Sequence, residues 1–104
     1  LILILVLFSN LYANNWNPLL YNAISNNNIN LAERIIANDI FIVNSRNSFG
    51  LTPLHVAVKN NNLNFVELLL KSGADIDSQD KKGRTPLFYA IAEKNLAITK
   101  IFNS

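Results

Sequence analysis

The chain has no cysteine and no methionine, one histidine, three glycines and three prolines. Without cysteine there is no disulfide, no thiolate metal ligand and no thiol nucleophile, a composition that fits either redox compartment. The lone histidine, His55, leaves no histidine cluster for a metal; as a catalytic base it would need a nucleophile and an orienting acid beside it. Charged residues are 15% of the chain and the net charge is +2, which is not the basic footprint of a nucleic-acid-binding protein. Asparagine is abundant, 18 of 104, yet no Asn-x-Ser/Thr glycosylation acceptor occurs. The asparagine, isoleucine and lysine bias has AT-rich codons behind it and reports genome composition as readily as function.

Long apolar runs are also scarce. Only residues 1–8, Leu-Ile-Leu-Ile-Leu-Val-Leu-Phe, are unbroken, and a bilayer span takes about 20 residues. Eight suit the apolar core of a secretory signal, about 7–15 residues long, with Leu11-Tyr12-Ala13 as an acceptable cleavage context. With no methionine and no basic segment before Leu1, the expectation is that the true start lies upstream and that residues 1–13 are a signal peptide. The protein is then secreted or periplasmic, and otherwise cytoplasmic. The competing readings of the run are a membrane anchor cut short and an apolar cap on the first repeat unit.

The chain is built on a repeat. Asn47-Ser48-Phe49-Gly50-Leu51-Thr52-Pro53-Leu54-His55-Val56-Ala57 returns 33 positions later as Asp80-Lys81-Lys82-Gly83-Arg84-Thr85-Pro86-Leu87-Phe88-Tyr89-Ala90. A weaker copy lies upstream: Leu20-Tyr21-Asn22-Ala23 stands 34 before Leu54-His55-Val56-Ala57, and Asn26–Asn30 matches Asn60–Asn64. Asn44 aligns with Asp77 at 33, so one residue is inserted near 39–43. A period of this length means a stack of small units, none of which buries its apolar face alone.

Each unit reads as two helices. Thr52 and Thr85 precede proline at helix starts, where a hydroxyl accepts from free N–H groups and proline has no N–H to leave orphaned. The first helices are expected over about Pro53–Lys59 and Pro86–Glu93, the second over about Asn64–Lys71. Gly73 is the expected stop of that second helix. Asn61 suits a left-handed turn between the helices, whereas Lys94 at the same place fits it poorly.

Gly-x-Thr-Pro-Leu-His-x-Ala, the 33-residue period and the apolar helix leading to Gly73-Ala74-Asp75-Ile76-Asp77 resemble the ankyrin repeat. The resemblance covers roughly Pro18–Ser104. It implies an all-α repeat solenoid: stacked helix-turn-helix units with short β-hairpin loops, about three repeats, at about 14–45, 46–78 and 79–104. The last unit ends inside its second helix, which favours a fragment of a longer array. Trp16 is expected to cap the first unit. His55 is expected to hydrogen-bond near its threonine and brace neighbouring units. Asp75–Asp80 superficially looks like a calcium loop, but its glycine comes too late and no glutamate stands at position twelve.

By the same resemblance the function is non-catalytic protein binding through hairpin tips and inner helices, by a monomer, without cofactor, metal or nucleic acid. Membrane contact enters only through the N-terminal run. The family's variable surface positions fall on Arg46, Ser48, Phe49, Leu51, Lys59, Gln79, Lys81, Lys82, Arg84 and Glu93. Phe49 and Leu51 stand where the next unit has Lys82 and Arg84, and aromatic anchors beside arginine are typical of binding hot spots. The alternatives are the targeting part of a secreted effector or toxin whose catalytic domain lies outside these residues, and a structural spacer.

Overall fold

The computed structural model describes residues 18–103. The apolar run of residues 1–8, the expected cleavage boundary after Ala13, Trp16 and Ser104 lie outside them. Among the described residues six α-helices come in pairs: α1 (Pro18–Ser25) with α2 (Ile29–Asn38), α3 (Pro53–Lys59) with α4 (Leu63–Lys71), and α5 (Pro86–Ala92) with α6 (Leu96–Asn103). Helices this short are marginal in isolation. Stacking holds them: α1, α3 and α5 pack in one layer, α2, α4 and α6 in a second.

The helix starts are chemically repetitive. Thr52 Oγ1 accepts from the His55 N–H at 3.4 Å, and Thr85 Oγ1 from the Phe88 N–H at 3.3 Å. The second helices start on asparagine instead. Asn28, Asn62 and Asn95 accept from Leu31, Phe65 and Ile98 N–H at 3.1, 3.2 and 3.0 Å. These caps satisfy donors that a helix start leaves unpaired.

Between the two helices of each unit the chain turns through one left-handed residue: Asn27 (φ 55°), Asn61 (φ 55°) and Lys94 (φ 56°). The following N–H reaches back to an alanine carbonyl, Asn28 to Ala23 at 2.7 Å, Asn62 to Ala57 at 3.0 Å and Asn95 to Ala90 at 3.0 Å. Lys94, the poor fit by residue type, adopts the same turn as the asparagines, because packing on both sides of it dictates the path. Gly73 ends α4 with φ 96° and the same pattern, Ala74 N–H to Leu69 carbonyl at 2.9 Å.

The core runs the length of the stack between the layers. Ala23, Ala57 and Ala90 occupy equivalent places and are fully or almost fully buried, with Leu20, Leu54, Phe65, Val66, Leu69 and Ile98 around them. Small residues at those alanine positions let the layers approach. The extra residue of the first unit is absorbed in a 3₁₀ turn, Ile40–Asn44, capped by Asp39, which accepts from Phe41 N–H at 3.1 Å.

The short β-hairpins expected at the tips are single turns, and no strand occurs among the described residues. Asn47 N–H bonds the Leu51 carbonyl at 3.0 Å, while the Asn47 side-chain oxygen takes the N–H groups of Phe49 and Leu51 at 2.9 and 3.0 Å. Asp80 repeats this: N–H to the Arg84 carbonyl at 3.0 Å, carboxylate to Lys82 and Arg84 N–H at 2.9 Å each. The side chain consumes the N–H groups that a longer hairpin would direct to an opposite strand.

Candidate partner-binding surface

Neighbouring units are joined by polar links that repeat with the period. His55 is fully buried. Its Nδ1 faces the Thr52 N–H at 3.1 Å and the Thr52 hydroxyl at 2.9 Å. An N–H can only donate, so Nδ1 is the acceptor and the ring proton sits on Nε2. From there it is donated across the unit boundary to the Arg84 carbonyl at 2.8 Å. Burial pushes the imidazole below its usual pKa, against the opposing pull of the Arg84 carbonyl and Asp80, with Arg46 and Lys59 adding to the downward shift. His55 is thus a neutral brace, as its sequence context implied.

Tyr21 acts one unit earlier, its hydroxyl 2.7 Å from the Leu51 carbonyl and 3.1 Å from the Ser45 carbonyl. Burial raises its pKa well above the usual phenol value. Asn44 ties the same two units, donating to the Gly73 carbonyl at 3.1 Å and accepting from Asp75 N–H at 2.8 Å. At the inter-helix turns, Asn62 donates to Asn27 at 2.8 Å and Asn95 to Asn61 at 3.0 Å.

The tips are locked to each other by backbone. Lys81 N–H donates to the Phe49 carbonyl at 3.2 Å, and a Cβ on Gly50 would stand 2.8 Å from the Lys81 nitrogen. Behind them a buried cluster forms around Asp80, whose carboxylate also accepts from the Tyr89 hydroxyl and pairs with Arg84 Nε at 3.3 Å. Burial alone would raise the Asp80 pKa. The Tyr89 hydroxyl, the Arg84 and Lys82 N–H groups and the Arg84 guanidinium reverse this and hold it well below the usual carboxylate range. Tyr89 is displaced upward by burial and by its bond to Asp80. Arg84 and Lys59 lie 5.1 and 5.2 Å from the centre of its ring, and His55 meets it edge-on at 5.8 Å.

A cleft of about 620 Å³ opens between the tips of the middle and third units and the helices α3 and α5. Of the ten expected binding residues it gathers six: Phe49, Leu51, Lys59, Lys81, Lys82 and Arg84. Phe49 is 70% exposed. Leu51 is half-buried and rests on the core. The three lysines are exposed, while Arg84 is half-buried with its guanidinium on Asp80. Arg46, Ser48, Gln79 and Glu93 are exposed but do not line the cleft. The Arg46 guanidinium bonds the Gly50 carbonyl at 3.0 Å and the Gln79 carbonyl, and so acts as a clamp between units.

Asn47, Val56, Asn60, Asp80 and Tyr89 complete the lining, and none of them is among the ten expected positions. The available signal was at position 89, where a tyrosine replaces Val56 of the preceding unit. A second hollow, of about 680 Å³, lies at the inter-helix turns and is lined mainly by asparagines, two of which, Asn27 and Asn62, bond each other. The acidic stretch that superficially looks like a calcium loop serves the backbone: Asp75 accepts from Asp77 N–H at 3.0 Å, and Asp80 is held in the cluster with Tyr89 and Arg84. Among the described residues no group of three or more His, Asp or Glu could hold a metal ion, and no helix is long and apolar enough to cross a membrane.

Comparison with known proteins agrees with this architecture. A family model described as ankyrin repeats, in three copies, matches residues 2–80 and again 20–103. Human B-cell lymphoma 3 protein is 49% identical over 55 residues, 52% of this chain and 12% of that protein. NF-kappa-B inhibitor alpha of Gallus gallus is 40% identical over 63 residues, 61% of this chain and 20% of its own length. The ankyrin repeat protein L271 of Acanthamoeba polyphaga mimivirus is 40% identical over 64 residues, 62% of this chain and 9% of that protein. The chain therefore spans a fifth or less of the length of each of these relatives.

Proposed function

The chain belongs to the ankyrin-repeat family, and we propose that it is a non-catalytic module holding a protein partner against the tips and inner helices of its middle and third units. The family is generally one of protein–protein interaction modules. A relative named as an inhibitor of NF-kappa-B acts, by that name, through a partner, although the limited span leaves that partner with the relative.

The observation that carries the reading is the setting of Phe49. The residue is 70% exposed, yet its N–H is fixed by Asn47 and its carbonyl by Lys81. A large apolar side chain on a rigid backbone loses little freedom when a partner covers it, which is what an anchor requires. Partners recovered by pull-down with the wild-type chain should bind folded Phe49→Ala at least about thirtyfold more weakly by calorimetry. Unchanged affinity would place the anchor elsewhere.

Export is a separate part of the proposal, supported by the apolar run of residues 1–8. The family match that begins at residue 2 supports the other reading of that run, as part of the first repeat. N-terminal sequencing of protein exported from a bacterial host separates them: a start at residue 14 supports export, and retention with residues 1–13 intact supports the cap.

A further inference from the structure

The rim of the cleft carries positive charge that nothing in the described chain answers. Lys59, at the end of α3, and Lys81 and Lys82, at the tip of the third unit, are exposed and line the cleft. The one carboxylate in the lining, Asp80, is already committed to the Tyr89 hydroxyl, to two backbone N–H groups and to Arg84. Among the described residues Asp80–Arg84 is the one ion pair. Arg84 is therefore wall, and the three lysines are the free cations.

Between these cations the surface is apolar. Phe49, Leu51, Val56 and Tyr89 form it, and the Lys59 ammonium lies against the Tyr89 ring, 5.2 Å from its centre. A cation kept at the edge of an aromatic surface is attracted to the ring and positioned above the floor. Low-dielectric walls with cations at the mouth concentrate the field at the opening, so the cleft discriminates by sign as well as by shape. A purely apolar segment would cover the lysine ammoniums without pairing them. A polyanion would pair the lysines and leave the floor unused. The volume, about 620 Å³, is that of a cleft that takes one or two side chains rather than a whole folded element, within the about 300–1,000 Å³ of small-ligand sites.

We infer that the cleft docks an extended peptide segment in which a carboxylate side chain stands beside a bulky hydrophobic one. The carboxylate meets the lysines of the rim, and the hydrophobic side chain lies on Phe49, Val56 and Tyr89. This inference rests on the reading of the cleft as the partner site and adds the chemistry of the partner.

A displayed library of random twelve-residue peptides, panned on the full chain, supplies the probe. Selected peptides should carry Asp or Glu next to Phe, Leu, Ile or Trp. Each is then synthesised with its acid and with the corresponding amide, and both are titrated into wild type, Lys59→Gln/Lys82→Gln and Phe49→Ala, after melts show each variant folded. On wild type the amide peptide should bind about tenfold more weakly, the size of two exposed charge contacts. On the lysine variant the acid and amide peptides should bind alike, and Phe49→Ala should weaken both.

If acid and amide bind wild type equally while Phe49→Ala still weakens them, the acidic partner is wrong and the cleft remains the site. If neither variant changes binding, or no peptide is selected, both readings fall. A single-stranded oligonucleotide that binds with the same dependence on Lys59 and Lys82, and none on Phe49, also overturns the inference.

Discussion

Tyr21 and His55 stand 34 residues apart and make the same bond: each donates to the backbone carbonyl of the residue before the next unit's Thr52 or Thr85. Tyr21 reaches Leu51 at 2.7 Å and His55 reaches Arg84 at 2.8 Å. One ring is a phenol and the other an imidazole, and the shared requirement is a donor at the far end of a flat, rigid side chain. The third unit carries Phe88 in this place, 48% exposed and with no such donor.

Tyr21→Phe and His55→Phe should each lower stability by about 0.5–1.5 kcal/mol, because each removes an inter-unit hydrogen bond and leaves the carbonyl only its local donor, Asn47 or Asp80 N–H. In a stack of about three units this is a large share of the total. Urea melts would show the loss; midpoints equal to wild type would mean that water replaces these donors without penalty.

Acid should weaken the stack in two steps. His55 has a folded pKa below its unfolded value near 6.5, so the unfolded chain binds the proton first. Its contribution is complete above about pH 6.5 and is lost as pH falls from there toward the folded pKa. Asp80, also depressed, contributes fully above its unfolded value near 3.8 and is lost below it. Chemical melts across pH 3–8 should therefore fall first below about pH 6.5. In His55→Phe that first decline should vanish and the steeper acid loss should remain. A first decline that persists in the variant would assign it to another group.

Gly50 and Gly83 share φ 77°, so alanine at either costs about 1–2 kcal/mol of left-handed strain. Only at Gly50 would the added Cβ also meet the neighbouring tip, 2.8 Å from the Lys81 nitrogen; at Gly83 nothing lies within 4 Å. Gly50→Ala should therefore destabilise more than Gly83→Ala. It should also speed amide exchange at Lys81, whose N–H holds the Phe49 carbonyl. Equal losses at the two glycines would show that the tips do not press together.

Lys94 sits at φ 56° where the other units use asparagine. Lys94→Asn should raise stability by about 0.5–1 kcal/mol, since asparagine tolerates this conformation better. Thermal melts test it, and an unchanged or lower midpoint would mean that the lysine side chain offsets its own strain.

Much of the fold was legible because it depends on local chemistry. Thr-Pro marks two helix starts, Gly73 a helix end and Asn61 a left-handed turn, and each works within a few residues of itself. The links between units were less legible. The Tyr21–Leu51 bond joins positions 30 apart, and no pattern of residue types announces that a tyrosine substitutes for a histidine. The arginines illustrate the same gap at the candidate site. Sequence places Arg46 and Arg84 near the hairpin tips, but charge does not say where a guanidinium points, and these clamp backbone and Asp80. The cleft wall at Tyr89 escaped notice because its partner, Asp80, meets it only after the turn and helix are folded.

The central claim, that the cleft between the second and third tips is the face a partner covers, is tested most directly by mapping a bound partner onto the chain. Nitrogen-15 spectra of the full chain should be recorded during titration with a peptide selected from the displayed library. The largest shifts should fall on Phe49, Leu51, Val56, Lys82 and Tyr89, with the exposed Phe41 and Leu96 unmoved. Shifts concentrated at Phe41 or Leu96, with Phe49 and Tyr89 silent, would contradict the account.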